Sequence, residues 1–166
     1  MPLDTTPGGS AADSYLSVAD SLAYANNDLG RYAAAWIAAD DATREKALRR
    51  ATRDIDRWAG ASEQWALDQK LSYPRPFDVD DTGFPIIVPT LEEATYQQAI
   101  YVLANADTMD DAATRRARAL TNFSEPNVSG QISDDPRFGR LSPEALALLT
   151  GEGFEAGAVV GWIEAT

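Results

Sequence analysis

The chain has 166 residues, with 26 acidic and 14 basic side chains and a formal net charge of −12. It contains no His and no Cys, which excludes disulfides, thiolate or imidazole catalysis, Cys/His zinc sites and a Ser-His-Asp triad. The length suits one domain, and so acidic a chain repels nucleic acid at long range, although a local basic patch is still compatible with it.

The N-terminal part predicts an arm followed by a helix. Residues 1–12 are rich in Pro, Gly, Ser and Thr, which is typical of a flexible arm, and they lack the basic and apolar regions of a secretory signal. From Val18 to Asn27, apolar side chains recur on one side of a helix. Ser17 is a suitable N-cap, and Asp20 lies in the first turn, where the helix dipole favours an acid.

The clearest helical pattern spans residues 42–58. Apolar side chains recur there at spacings of three and four, which predicts one buried stripe formed by Ala47, Leu48, Ala51, Ile55 and Trp58. Asp40 or Asp41 is expected to cap the start of this helix, and Gly60 to end it.

Residues 61–90 predict a long irregular segment, because they contain the helix breakers Pro74, Pro76, Gly83, Pro85 and Pro89. So long a loop in a small domain is often an interaction element. A further helix is expected over residues 91–106, with Thr90 as its cap and Glu92 and Glu93 in its first turn.

The C-terminal part gives weaker signals. Residues 115–120 are compatible with a helix or a strand, and residues 121–132 have the composition of an exposed β-hairpin or loop. Ser142, Pro143 and Glu144 form a helix-start signal, so a short helix is expected to follow and to end near Gly151.

The most basic part of the chain is one side of the 42–58 helix, which carries Arg49, Arg53 and Arg57 at spacings of four, with Arg44 and Arg50 nearby. These cations could bind phosphate groups, or they could pair with Asp54, Asp56 or the acidic residues of a neighbouring subunit. Because the chain is so acidic, ion pairing within or between subunits is the favoured interpretation. A second small patch with the same ambiguity is formed by Arg115, Arg116 and Arg118.

Two acidic motifs resemble parts of metal sites. Residues 78–83 begin like a calcium-binding loop, but Pro89 stands at the position where such a loop needs a bidentate Glu. Asp54 or Asp56, followed by Asp68-Gln69-Lys70, has the outline of a metal-dependent nuclease, yet no strand is expected to carry the triplet. We favour a polar turn before Pro85 for the first motif, and we expect no metal, no cofactor, no catalytic residue and no enzyme activity.

The chain ends in an apolar stretch after a glycine-rich break. This stretch could fold back on its own core, or it could dock on a partner through an aromatic anchor, Trp162. We expect a flexible arm over residues 1–12, a helical domain over residues 13–151 and a docking tail over residues 152–166.

Three stretches resemble one family of phage proteins. They are ADSYLSVAD at 12–20, KALRRATRDID at 46–56 and QKLSYPR at 69–75, followed by Pro85 and the helix from Leu91. In this order they resemble the head–tail connector (adaptor or head-completion) proteins of tailed phages, some of which are described as DnaT-like single-stranded-DNA-binding proteins. Tyr73 stands where these relatives often have Trp, and residues 107–140 depart from the family pattern.

The resemblance implies a small helical protein that forms a homo-oligomeric ring, commonly a dodecamer, in the neck of the virion after assembly in the host cytoplasm. The ring would join the portal protein to a downstream tail or stopper protein and line the channel through which genome DNA passes without specific binding. Packing roles are implied for Tyr15, Leu48, Ile55 and the segment 73–75. An acidic wall suits such a channel, because DNA does not adhere to it.

The alternative function is a single-stranded-DNA-binding accessory protein of a phage, which needs a basic groove with stacking aromatics. Trp58 and Trp65, near Arg53 and Arg57, could supply one, although Trp58 belongs to the buried stripe. We therefore predict a mainly α protein: a small helical bundle with long loops, a β-hairpin, extended terminal arms and no membrane contact. Its expected interface residues are Arg49, Arg53, Arg57, Val159, Val160, Trp162 and Ile163.

Overall fold

A computed structural model describes residues 3–30, 32–60, 63–106 and 141–151. Within these residues the chain forms helices and one isolated antiparallel bridge between Val79 and Pro85, which confirms the mainly α fold. The helices are α1 (Val18–Asn27), α2 (Ala33–Ala38), α3 (Asp41–Ala59), α4 (Pro89–Ala104) and α5 (Pro143–Gly151).

The starts of α1 and α3 follow their predicted caps. The side-chain oxygen of Ser17 accepts a hydrogen bond from the backbone N–H of Asp20 at 3.1 Å, and that of Asp40 accepts one from Thr43 at 2.7 Å. These oxygens satisfy N–H groups that have no partner inside the helix. The prediction that α3 ends at Gly60 is also confirmed, since Gly60 adopts a φ of 68° that L residues rarely tolerate.

The expected cap of α4 is wrong. This helix begins at Pro89, and its N-cap is Val88, which offers no side-chain hydrogen bond. Thr90 therefore lies inside the first turn. A proline fits the first helical position because its fixed φ is helical and its missing N–H would have no partner there.

Helix α2 is not apparent from the sequence, and an arginine in the first turn of α3 fixes its end. The guanidinium of Arg44 is buried and donates to the backbone carbonyls of Trp36 at 3.0 Å and Ile37 at 2.6 Å. A cation at the carboxyl end of a helix also interacts favourably with the helix dipole. Arg44 is thus a cap of α2 and not part of the exposed basic patch.

The core lies on both sides of α3 and α4, which pack against each other, while α4 also packs against α5. One apolar cluster includes Ile55, Trp58, Leu91 and Leu149, and the other surrounds Leu48 with Trp36, Tyr96 and Ile100. Tyr15, Leu48, Ile55 and Tyr73 are all buried, which confirms the packing roles expected of them. The indole N–H groups of Trp36 and Trp58 are buried with no hydrogen-bond partner among the described residues.

A buried amide connects α3, α4 and α5. The side-chain oxygen of Gln98 accepts from the backbone N–H of Ser142 at 2.7 Å, and its nitrogen donates to Asp54 at 3.4 Å. Ser142 in turn accepts from the N–H of Ala145 at 3.0 Å, which confirms it as the cap of α5. The start of α5 is therefore anchored on α4 by hydrogen bonds as well as by apolar packing.

The segment before α1 contacts the body of the protein. Asp4 accepts a backbone hydrogen bond from Asp13 at 2.8 Å, and Gly9 accepts one from Lys70 at 3.3 Å. Gly8 has a φ of 71°, and a Cβ added there would lie 3.1 Å from the ring of Trp65. The boundaries at residues 12 and 151 stay predictions. The elements expected at 115–120 and 121–132 lie outside the described residues.

Candidate functional site

The outer side of α3 is the basic face, which we define by the exposed cations Lys46, Arg53 and Arg57 and the half-buried Arg50. Helical spacings of three, four and seven place these residues on one stripe, which spans about 16 Å from first to last. Within the described residues, Lys46 and Arg53 form no ion pair, so their charges are available to a partner.

The other two cations of the basic face share one carboxylate. Asp54 is fully buried, and it lies 3.2 Å from Arg50 and 3.6 Å from Arg57. Because burial removes water from the carboxylate, these arginines and Gln98 must replace the lost hydration. The predicted ion pairing is confirmed here within the chain, and it lowers the net charge that the basic face presents.

Arg49 points away from the exposed stripe. Its guanidinium contacts Asp13 at 2.8 Å and Glu45 at 3.3 Å. The hydrogen bond from Arg49 to Asp13 raises the pKa of Arg49 above its usual value, with the nearby charges of both acids contributing further. Of the three arginines expected at an interface, Arg49 fixes the segment before α1 to α3, whereas Arg53 and Arg57 are exposed.

A second exposed feature is the phenylalanine loop, which we define as residues 77–86. Phe77 and Phe84 are 66% and 69% exposed at its two sides. Asp80 closes the turn between them by accepting hydrogen bonds from the backbone N–H groups of Thr82 and Phe84 at 2.8 and 3.0 Å. The loop therefore has a defined shape although its large side chains face solvent.

Asp78 and Arg75 fix the base of the phenylalanine loop. Asp78 is buried, accepts from the backbone N–H of Arg75 at 2.8 Å and forms an ion pair with its guanidinium at 3.2 Å. The same guanidinium lies 4.4 Å from the ring centre of Phe77 and 5.3 Å from that of Tyr73, which is within the range of cation–π attraction. One arginine thus holds two aromatic rings and one carboxylate in place.

The segment before the loop is attached to α3 through Asp56. Its carboxylate accepts a short hydrogen bond from the hydroxyl of Tyr15 and another from the backbone N–H of Ser72. The hydroxyl of Tyr15 also accepts from the backbone N–H of Tyr73 at 3.2 Å. Burial raises the pKa of Asp56 above its ordinary value, although both hydrogen bonds oppose this change.

A cleft outside the basic face carries acidic side chains. It lies between the N-terminal segment, α1 and α4 and is lined by Thr5, Pro7, Tyr15, Ser17, Asp20, Ile86, Ile87 and Glu92. Burial, together with the charge of Asp20, raises the pKa of Glu92. Asp20, Glu92 and Glu93 also act on Tyr24, whose pKa is raised by burial first and by these acids next. A polyanion is therefore repelled from this cleft.

The two motifs that resemble metal sites fold differently: residues 78–83 contain a turn, whereas Asp54 and Asp56 lie inside α3. Asp78 and Asp80 accept hydrogen bonds from their own loop, as the turn interpretation predicts. Asp54 and Asp56 contact different partners, Asp54 on the arginine side of α3 and Asp56 at Tyr15. No group of acids in the described part of the chain is arranged to hold a metal ion. Nor does any described helix have the length and apolarity needed to cross a membrane.

Several of the expected site residues lie outside the described part of the chain, and other surface residues are not apparent from the sequence. Val159, Val160, Trp162 and Ile163, and the arginines at 115, 116 and 118, lie outside the described residues. Trp58 is buried and cannot stack on a base, whereas Trp65 is at the surface. Phe77 and Phe84 were missed as a surface feature, and the signal that could have found them is a phenylalanine on each side of an Asp- and Gly-rich turn.

Comparison with known protein families supports part of the resemblance. A family model described as "Putative DnaT-like ssDNA binding protein" matches residues 1–132 of the 166. No curated protein and no solved structure matches the chain. The match confirms the DnaT-like part of the resemblance, while the connector part stays a prediction.

Proposed function

We propose that the protein, which belongs to this DnaT-like family, binds single-stranded DNA through the basic face of α3. The observation that carries the proposal is the exposure of Lys46, Arg53 and Arg57 on one side of a single helix. Phosphate contacts of this kind give affinity without reading sequence. The role requires no catalytic residue and no cofactor.

The charges of the basic face set the expected strength of binding. Asp54 offsets part of the charge of Arg50 and Arg57, and the acidic remainder of the chain repels the strand. Binding should therefore be weak, independent of sequence and sensitive to salt. If three cations meet phosphates of a single strand, log K should fall with log salt with a slope of about −2.

The test is an anisotropy titration of a labelled oligothymidine with the full chain at several salt concentrations. The variant Lys46→Ala/Arg53→Ala/Arg57→Ala should bind at least about tenfold more weakly at low salt, and its salt slope should approach zero. Lys70→Ala removes an exposed cation outside the basic face and serves as the matched control. Thermal unfolding of each variant checks that the fold is kept.

Two results would contradict this proposal. One is the absence of salt-sensitive binding by the wild-type chain at low salt. The other is a triple variant that binds as tightly as Lys70→Ala, since the basic face would then make no contact with the strand.

A second candidate is the structural one, a ring between portal and tail that lines the DNA channel. It is supported by the net charge of −12, by the acidic cleft and by the exposed phenylalanine loop, which offers an interface for another protein. In this role the protein is a virion component that contacts the portal and a downstream tail protein, and DNA passes it without specific contacts.

Mass spectrometry of purified particles from the source phage tests the second candidate, with the portal protein as internal standard. A copy number near one per portal subunit would support a connector ring. Absence from particles, when the protein is abundant in infected cells, would contradict it and leave the DNA-binding proposal in place.

A further inference from the structure

The phenylalanine loop has the form of a docking element. Its two phenylalanines are exposed, and hydrogen bonds from Thr82 and Phe84 to Asp80 hold the turn between them. Backbone hydrogen bonds across the loop join Ile86 to Asp78 and Asp80 to Phe84, each at 2.9 Å. A loop that is already ordered loses little conformational freedom on binding, which favours association.

The charge of the loop selects the chemistry of its partner. Asp80 and Asp81 are exposed beside Phe84. Hydrogen bonds with Thr82 and Phe84 lower the pKa of Asp80 below its usual value. The loop therefore presents aromatic rings with acids between them, and a complementary surface must offer cations that can also lie over an aromatic ring.

One contact of an arginine with both an aromatic ring and a carboxylate is already present within the chain. On the loop, the guanidinium of Arg75 lies over Phe77 while it pairs with Asp78. Phe84 and Asp81 offer an exposed ring and an exposed acid on one turn, and no described arginine lies over Phe84. On the basic face of α3, Arg53 and Arg57 are exposed one turn apart, and they supply the matching pair of cations.

We infer that the phenylalanine loop of one copy docks on the basic face of α3 of a second copy, with Arg53 and Arg57 meeting Phe84 and Asp81. Because the two surfaces are different, the contact is head-to-tail, and repeating it gives a closed ring or an open filament. This inference does not depend on DNA binding, and it specifies subunit surfaces for the ring of the second candidate function. It also predicts that self-association and DNA binding compete, since both use the basic face.

Sedimentation velocity of the full chain over a wide concentration range tests the inference. Two variants each remove one surface: Phe84→Ser/Asp81→Lys on the loop, and Arg53→Glu/Arg57→Glu on the helix. Each should weaken association at least about tenfold relative to the wild type. Leu29→Ser, which removes an exposed apolar side chain elsewhere, and Lys70→Glu are the matched controls and should associate as the wild type does.

Mixing the two variants gives the decisive result. The helix variant keeps an intact loop and the loop variant keeps an intact basic face, so one interface can form between them. The mixture should therefore produce heterodimers and no larger species, although each variant alone is monomeric. A monomeric wild type at the highest concentration, or a mixture that stays monomeric, would overturn the inference.

DNA titrations of the same variants separate this inference from the proposed function. The loop variant should bind oligothymidine at least as well as the wild type, because its basic face is no longer occupied by a neighbour. The helix variant should lose both DNA binding and self-association. A wild type that binds DNA but never self-associates would overturn the docking inference alone.

Discussion

Helix α3 and the phenylalanine loop distribute their side chains in opposite ways. Helix α3 buries apolar residues such as Ile55 and Trp58 and exposes cations. The loop buries a carboxylate, Asp78, and exposes two phenylalanines. Different interactions therefore stabilise the two regions. Burial of apolar area stabilises the helix, whereas hydrogen bonds and one ion pair stabilise the conformation of the loop.

This contrast explains why both regions can act at a surface. The cations of α3 face water because the opposite side of the helix must be buried. The phenylalanines of the loop face water because polar groups occupy the positions that determine its shape.

The largest difference should appear when one aromatic side chain is truncated in each region. Trp58→Ala should lower the free energy of unfolding by about 3–5 kcal/mol, because Trp58 is 1% exposed and its loss leaves a cavity. Phe84→Ala should change it by less than about 0.5 kcal/mol. Urea denaturation of both variants measures the difference. A similar loss for Phe84→Ala would mean that the loop packs on the body, and the contrast would fail.

A smaller effect is expected at Asp56, which attaches the segment before the loop to α3. Asp56→Ala leaves the hydroxyl of Tyr15 and the N–H of Ser72 without their acceptor, so it should lower the free energy of unfolding by about 1–3 kcal/mol. Amide exchange in residues 70–76 should increase, while exchange in the middle of α3 should follow the global change. Unchanged exchange at Ser72 would contradict the role of this carboxylate.

Asp56 also gives the protein a pH dependence of defined sign. Burial raises the pKa of Asp56 in the folded state above its usual value of 3.8, so folding favours the protonated form. The resulting contribution to stability is fully present below the unfolded-state pKa and is lost as the pH rises through the folded-state pKa. Relative to Asp56→Asn, the wild type should therefore gain stability on acidification from about pH 7 to about pH 4. Parallel pH profiles of the two proteins would contradict the raised pKa.

The smallest effect should come from the turn inside the loop. Asp80→Ala removes the acceptor for the N–H groups of Thr82 and Phe84, both of which are exposed. We expect no measurable change in the unfolding transition, but faster hydrogen exchange at these two amides. Asp81→Ala is the matched control on the neighbouring residue. Equal exchange rates in the two variants would show that Asp80 does not hold the turn.

The sequence predicts the bounds of some helices better than those of others. The bounds of α1 and α3 follow from local signals, the caps at Ser17 and Asp40 and the apolar periodicity up to Gly60. The expected cap of α4, Thr90, lies two residues after the observed cap, Val88, because a proline at position 89 also resembles a loop signal. Caps and apolar periodicity involve residues only a few positions apart, so the sequence alone can predict them.

Tertiary contacts account for most of what the sequence did not predict. Helix α2 ends on the guanidinium of Arg44, a residue that the helical pattern had assigned to the basic patch. Arg49 faces Asp13, which is far away in sequence, and so it leaves the exposed stripe that Arg53 and Arg57 share. Which arginines of a helical patch stay available depends on partners brought close by folding, and spacing alone does not identify them.

The environments of the tryptophans have an optical consequence. The indoles of Trp36 and Trp58 are buried and form no hydrogen bond within the described part of the chain, whereas Trp65 is at the surface beside Gly8. Emission from the first two should lie at short wavelengths, and emission from Trp65 should lie at longer wavelengths and respond to a soluble quencher. With Trp162 replaced by Phe, the long-wavelength edge of the spectrum would report, without any attached label, whether the N-terminal segment stays in contact with Trp65.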